Sequence, residues 1–232
     1  MPIDTEGRID RLLQRLHSRG LATDTTTLYS EGVKTKLRQA KFSLETLRQL
    51  APQEDQVQDA TAGPTSQGLL NTDELVGFYC DSLWDSLRSA LDILGQLINE
   101  LRSLGISERK VEIKRVARKV KSTAPGSLLD KALDELLNSS AFTQLEDYRH
   151  CSTHRRPPFI LTWTISSSVS GTAGYFYSAS SQGTTIVARD LCINPWDLKP
   201  RVRTGQRPVV IYSEKLLKRI RGKIDTIVTH LP

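Results

Sequence analysis

The run NTDELVGFYCDSLWDSLRSALDILGQLINELRSL, residues 71–104, decides which fold this chain can adopt. Leu83, Leu87, Ala90, Leu94, Leu97, Leu101 and Leu104 follow one another at steps of four and three, and Trp84, Leu91 and Ile98 widen the stripe. That period belongs to a helix buried over a broad face, the kind of element around which a helical bundle closes. Asn71-Thr-Asp-Glu74 reads as an N-cap with a glutamate three residues on, and Gly105 supplies the stop. The opposite side carries Asp85, Arg88, Asp92, Gln96 and Asn99, again at helical steps. We read that row as a solvated ladder of charges; the alternative is that Asp92, in Ser89-Ala-Leu-Asp92, turns inward and orients an imidazole.

Outward from this helix the chain repeats the pattern. Asp4 and then Ile9, Leu12, Leu13 and Leu16, with Gly20 as a cap, predict a short helix over 4–19, with His17 solvated in its last turn. Val33, Leu37, Ala40, Leu44 and Leu47 predict a long helix over 27–50, ended by Pro52. Residues 53–68 are polar and nearly free of core residues, and are expected to form a mobile loop. On the other side, 108–121 reads as one amphipathic basic helix edged by Ile113, Val116 and Val120. Ser127 caps a helix over 128–138, and a further helix after Ser140 is anchored by Phe142, Leu145 and Tyr148.

Pro157 and Pro158 then change the register. Phe159, Leu161, Trp163 and Ile165 alternate with Ile160, Thr162 and Thr164, and Thr184 to Ala188 follows a Ser/Gly-rich turn, predicting a β-hairpin or small sheet over about 159–190. Trp163 and Tyr175-Phe176-Tyr177 are read as covering an apolar face rather than stacking bases. Ser213 is expected to cap a last helix, 213–231, that closes the bundle with Leu216, Leu217, Ile220, Ile224, Ile227, Val228 and Leu231. The expectation is one mainly α domain over 1–232, a bundle of long antiparallel helices with a small β insertion before the C-terminal helix.

Composition narrows the function. With 38% hydrophobic and 25% charged residues the chain is an ordinary globular one, and 32 basic against 26 acidic residues permit a polyanionic partner without demanding one. The apolar runs are short, and the first residues lack a basic segment followed by an apolar one, so we expect a cytoplasmic protein without membrane attachment. Cys80, Cys151 and Cys192 stand far apart, which suits reduced thiols. No cofactor is expected. A zinc site from His150, Cys151 and His154 would bring three ligands on adjacent turns with no second pair at metal spacing.

Two stretches carry chemistry. Lys114, Arg115, Arg118, Lys119 and Lys121 on the basic helix form either a solvated face or a track that neutralises phosphates without reading sequence. Arg149, His150 and His154, with Arg155 and Arg156 behind them, place a permanent cation and two titratable imidazoles within two turns. Metal-free scission of RNA needs a base for the 2′-hydroxyl, an acid for the leaving oxygen and a cation for the charge on phosphorus. Two imidazoles and one guanidinium meet that need. On one helix His150 and His154 share a face, whereas Arg149 and His154 diverge by about 140°.

Arg149-His150-Cys151-Ser152-Thr153-His154 resembles the signature of the HEPN family (higher eukaryotes and prokaryotes nucleotide-binding domains): an arginine, a polar residue, three more, then histidine. The resemblance implies the long-helix fold, Arg149 and His154 as the paired catalytic residues, and His150 as the polar residue beside the arginine. It also implies a homodimer that combines arginine and histidine across a two-fold axis and leaves a 2′,3′-cyclic phosphate. Asp92 and Tyr148 are the expected supporting residues. The function expected on this basis is a metal-independent endoribonuclease in a toxin or stress-defence setting, with RNA as substrate and an antitoxin or regulatory protein as partner. The alternative is a non-catalytic dimer that binds a nucleotide, RNA or a protein.

Overall fold

The computed structural model describes residues 4–50, 72–154, 159–166, 185–192 and 207–232; for 72–74, 76, 150–154, 159–166, 185–192 and 207–209 it describes the backbone course. The expected loop 53–68, the Asn71 cap, Arg155, Arg156 and Tyr175 to Tyr177 lie outside the described residues. Within them the chain is mainly α, with seven helices. None is long and apolar enough to cross a membrane.

Helix α1 (Thr5–Ser18) begins where the Asp4 carboxylate accepts the Gly7 amide at 3.0 Å, and Gly20 leaves it at φ 67°, a conformation that a Cβ would strain. Helix α2 (Asp24–Leu50) starts three residues before the apolar stripe suggested. Thr23 and Thr26 cap it reciprocally, each hydroxyl accepting the other's amide, at 3.1 and 2.8 Å. Helix α3 (Thr72–Leu101) packs along α2, and Leu83, Leu87, Leu91, Leu94 and Ile98 are fully buried between the helices. It ends one turn earlier than the stripe, because Ser103 and Gly105 adopt positive φ; Leu104 is still buried.

The polar side of α3 corrects the sequence reading. Arg88, Asp92, Gln96 and Asn99 form a seam rather than a solvated ladder, and Asp85 is the exposed member of the row. Arg88 is only 5% exposed. Asn99 donates to the Ile106 carbonyl (2.9 Å) and accepts its amide (3.1 Å), Gln96 donates to the Glu108 carbonyl (3.0 Å), and Asp92 accepts the Ile113 amide (3.3 Å). These side chains satisfy the backbone of the returning connection, which would otherwise lie unpaired against the bundle. The seam also divides the predicted basic helix: Glu108–Lys110 is a single 3₁₀ turn, Val111 and Glu112 are extended, and α4 runs Ile113–Thr123 from the amide that Asp92 holds.

Ser127 caps α5 (Leu128–Leu137) as expected, its hydroxyl accepting the Asp130 amide at 3.1 Å. Ser139 caps α6 (Ser140–His154) in the same way, through the Phe142 amide at 3.2 Å. Strands β1 (Phe159–Ser166) and β2 (Thr185–Cys192) pair antiparallel with Phe159 opposite Cys192, and the two-residue β3 (Arg207–Pro208) pairs with β2. Helix α7 (Val209–Thr229) begins directly after Pro208, so Ser213 is a buried residue inside the helix and not its cap. Proline cannot supply an amide to the helix, which makes it a natural boundary. Tyr212, in the extra turn, stacks on Trp84 with ring centroids 5.5 Å apart. Helix α7 touches α1, α2, α3, α5 and α6, and its Ile220, Ile224 and Ile227 are fully buried among them.

Candidate functional site

Helix α6 carries the motif. Its first three turns are locked from below by Phe142, Leu145 and Tyr148, all buried. Tyr148 stacks on Trp84 at a centroid distance of 4.1 Å, and its hydroxyl donates to the Asp81 carboxylate. Burial, and then the negative charge of Asp81, push the Tyr148 phenol far above its ordinary range. It is therefore a fixed donor and takes no part in proton transfer. Asp81, Trp84 and Tyr148 together set how α6 lies on α3.

One turn earlier a second lock forms. The Arg88 guanidinium lies 3.1 Å from a Glu146 oxygen and 3.3 Å from an Asp92 oxygen, and Lys114 pairs with the other Glu146 oxygen. Both cations also stand over the Phe142 ring, at 5.5 and 5.4 Å from its centroid. Three helices are tied at this point: α3 by Arg88 and Asp92, α4 by Lys114, α6 by Glu146. A buried guanidinium is tolerable only with such partners. The sequence reading offered Asp92 as a possible partner of an imidazole; in the structure its Oδ1 meets Arg88 and the Ile113 amide at the start of α4, and the imidazoles lie outside the described residues. Asp92 is nevertheless held above its usual carboxyl range, first by burial, against the opposing pull of Arg88, the Ile113 amide and Arg149.

Arg149 follows Tyr148 and emerges exposed from this framework. Its charge reaches Asp92 and also Asp85, whose carboxyl is raised by burial and by Asp81 and lowered by Arg149 and Lys36. Glu146, one turn before His150 on α6, is engaged by Arg88 and Lys114. The backbone of α6 continues to His154, so His150 and His154 lie one turn apart on the same helix. Their side chains lie outside the described residues. The motif is thus placed in the C-terminal turns of a helix whose preceding turns are fixed to α3 and α4.

The basic helix is mixed in character. Lys114 is half-buried and paired with Glu146, and Lys121 pairs with Asp134 at 2.9 Å. Arg115, Arg118 and Lys119 are exposed; Arg115 donates to the Lys110 carbonyl and Arg118 to that of Lys114. Of the five cations proposed as a phosphate track, four are exposed, Lys121 among them despite its pair with Asp134. Among the described residues no group of histidine, cysteine and carboxylate side chains could hold a metal ion.

Sequence reasoning missed Arg88, Glu146 and Asp81. The signal was present for the first two: Arg88 stands four residues before Asp92 and Glu146 three before Arg149, and both rows sit on helices already predicted. What the spacing cannot show is that those rows face each other.

A family model described as Cthe2314-like HEPN matches residues 29–175, more than half of the chain, which therefore belongs to the HEPN family. The match runs from the second turn of α2 through α6 and takes in the whole Arg149 to His154 motif. No curated protein and no solved structure matches the chain.

Proposed function

We propose that this chain is a metal-independent endoribonuclease of the HEPN type, acting as a homodimer whose cleft combines Arg149 of one copy with His154 of the other, in a toxin or stress-defence setting held in check by a neutralising protein. The observation that carries this reading is the position of Arg149. It is exposed, within the family match, on a helix whose preceding turns are fixed by Tyr148 and Glu146. A cation that must meet a phosphate at a defined distance needs that rigid base.

The chemistry follows from the residue types. One imidazole takes the proton of the 2′-hydroxyl, the 2′-oxygen attacks phosphorus, and the bond to the 5′-oxygen breaks. A protonated imidazole supplies the proton to that leaving oxygen, giving a 2′,3′-cyclic phosphate and a 5′-hydroxyl. His154 and His150 are the proposed proton carriers, and Arg149 holds the charge that builds on the phosphoryl oxygens. Asp92 and Tyr148 support the site indirectly by fixing α6 on α3.

The test is cleavage of an RNA with both paired and single-stranded segments, in EDTA, by wild type, Arg149→Ala and His154→Ala. Wild type should cut, and each variant should lose at least about a hundredfold in rate. Identical behaviour of all three would overturn the reading and leave the chain as a binding module of the same family. Full activity from a species that sediments as a monomer would overturn the composite cleft.

A further inference from the structure

Opposite the motif end of α6 lies a groove of about 550 Å³ between the first turn of α6 and the outer side of α7. Ser140 stands on one wall; Lys215, Lys218, Arg219 and Lys223 stand on the other, with Thr226 beyond them. We propose that this groove binds the phosphate backbone of an RNA strand.

Four cations share one side of α7, within an arc of about 140°, because each stands three or four residues from another of the set. Like charges at that spacing repel unless a counter-charge sits between them. Among the described residues the one carboxylate paired with any of the four is Glu135, 3.2 Å from Lys223. Nor does the helix itself call for them. Lys215, Lys218 and Arg219 occupy the first half of α7, away from its C-terminal, negative end, where cations would complement the dipole.

The opposite wall adds donors. Ser139 uses its hydroxyl on the Phe142 amide, and Ser140 and Ala141, which line the groove, have their amides at the orphan positions that start α6. Arg219 reaches across at 3.4 Å to the Ser140 hydroxyl, which marks how close the two walls are. Cations, hydroxyls and helix-start amides together form a donor set for phosphate oxygens. Along the α7 axis the four cations are stepped by about 4.5, 1.5 and 6 Å, a row about 12 Å long that suits successive charges better than one compact anion. Among the described residues no large aliphatic or aromatic side chain lines the groove, so these offer none of the anchors that a protein partner uses. Ser140 and Arg149 are nine residues apart, about 14 Å along α6. The same nine residues turn half a circle around α6, so a strand held here passes over the flank of the helix to reach its motif end.

The inference rests on RNA being the substrate of the proposed reaction, but not on the chemistry of Arg149. The experiment is anisotropy of a labelled single-stranded 2′-O-methyl RNA, which cannot be cut, at several salt concentrations. Lys218→Gln/Arg219→Gln is compared with Arg115→Gln/Arg118→Gln on α4 and with wild type, after thermal melts establish that each is folded. The groove variant should bind about tenfold more weakly at low salt, and its slope of log affinity against log salt should shrink by about 1.4, roughly 0.7 per lost phosphate contact. The α4 variant should change less in both. Wild-type affinity and slope in the groove variant, or an equal loss in the α4 variant, would overturn the proposal. So would a nucleoside triphosphate that binds wild type more tightly than the strand does, or a polyglutamate peptide that displaces the strand at equal charge. A protein that binds with the expected pattern and cuts nothing supports the groove and refutes only the cleavage reading.

Discussion

Replacing Arg88 by leucine tests whether the three-helix lock beneath the motif is a stabilising contact or a solvated one. Arg88 is buried, and its loss leaves Glu146 and Asp92 facing each other without their shared cation. Breaking a buried ion pair from one side costs about 3–5 kcal/mol. Two features set the value at the low end. Both carboxylates are partly exposed, at 23% and 33%, and each keeps another partner, Lys114 for Glu146 and the Ile113 amide for Asp92. We expect a loss of about 3 kcal/mol, read as a lowered urea midpoint with an unchanged slope. For a chain of this length it also lowers Tm by about 6–12 °C. Adding Glu146→Leu should recover part of the loss, because the second substitution removes the stranded carboxylate. A loss below about 1 kcal/mol, the range of exposed ion pairs, would show that water already screens Arg88 and would refute the lock.

Tyr148→Phe keeps the stack on Trp84 but strips Asp81 of its donor; the expected loss is about 1–2 kcal/mol by urea titration, with RNA cleavage falling as α6 loosens. Asp92→Asn gives a pH signature. Because burial raises the carboxyl above its ordinary 3.8 in the folded chain, the folded state binds the proton more tightly than the unfolded one. Wild-type stability relative to Asp92→Asn should therefore be greatest near and below about pH 4 and fall as pH rises through the raised value, and the opposite trend in urea midpoints would refute the assignment.

Much of the scaffold is written in helical spacing. The stripes from Val33 to Leu47 and from Leu83 to Ile98 are the observed faces of α2 and α3, and the caps at Asp4 and Ser127 stand where side-chain chemistry puts them. The errors came where tertiary contacts decide. Nothing local in 108–121 announces a break at Val111; the break exists because Asp92, Gln96 and Asn99 bind that backbone from another helix. Ser213 has every attribute of a cap, yet the helix gains a further turn because Tyr212 finds Trp84. Arg149 was legible as a chemical group from the sequence, whereas the lock that holds it required knowing that Arg88 and Glu146 meet.

Helix α7 has a consequence for how the domain is made. It comes last of the seven helices and supplies Ile220, Ile224 and Ile227 to a core shared with five earlier helices. A nascent chain that has already presented Arg149 still lacks the element that closes its bundle, so the folded domain is withheld until α7 has been made. The same division lets the domain be split: a segment ending before Val209 and a separate α7 peptide, each inert, should regain a folded bundle only on mixing.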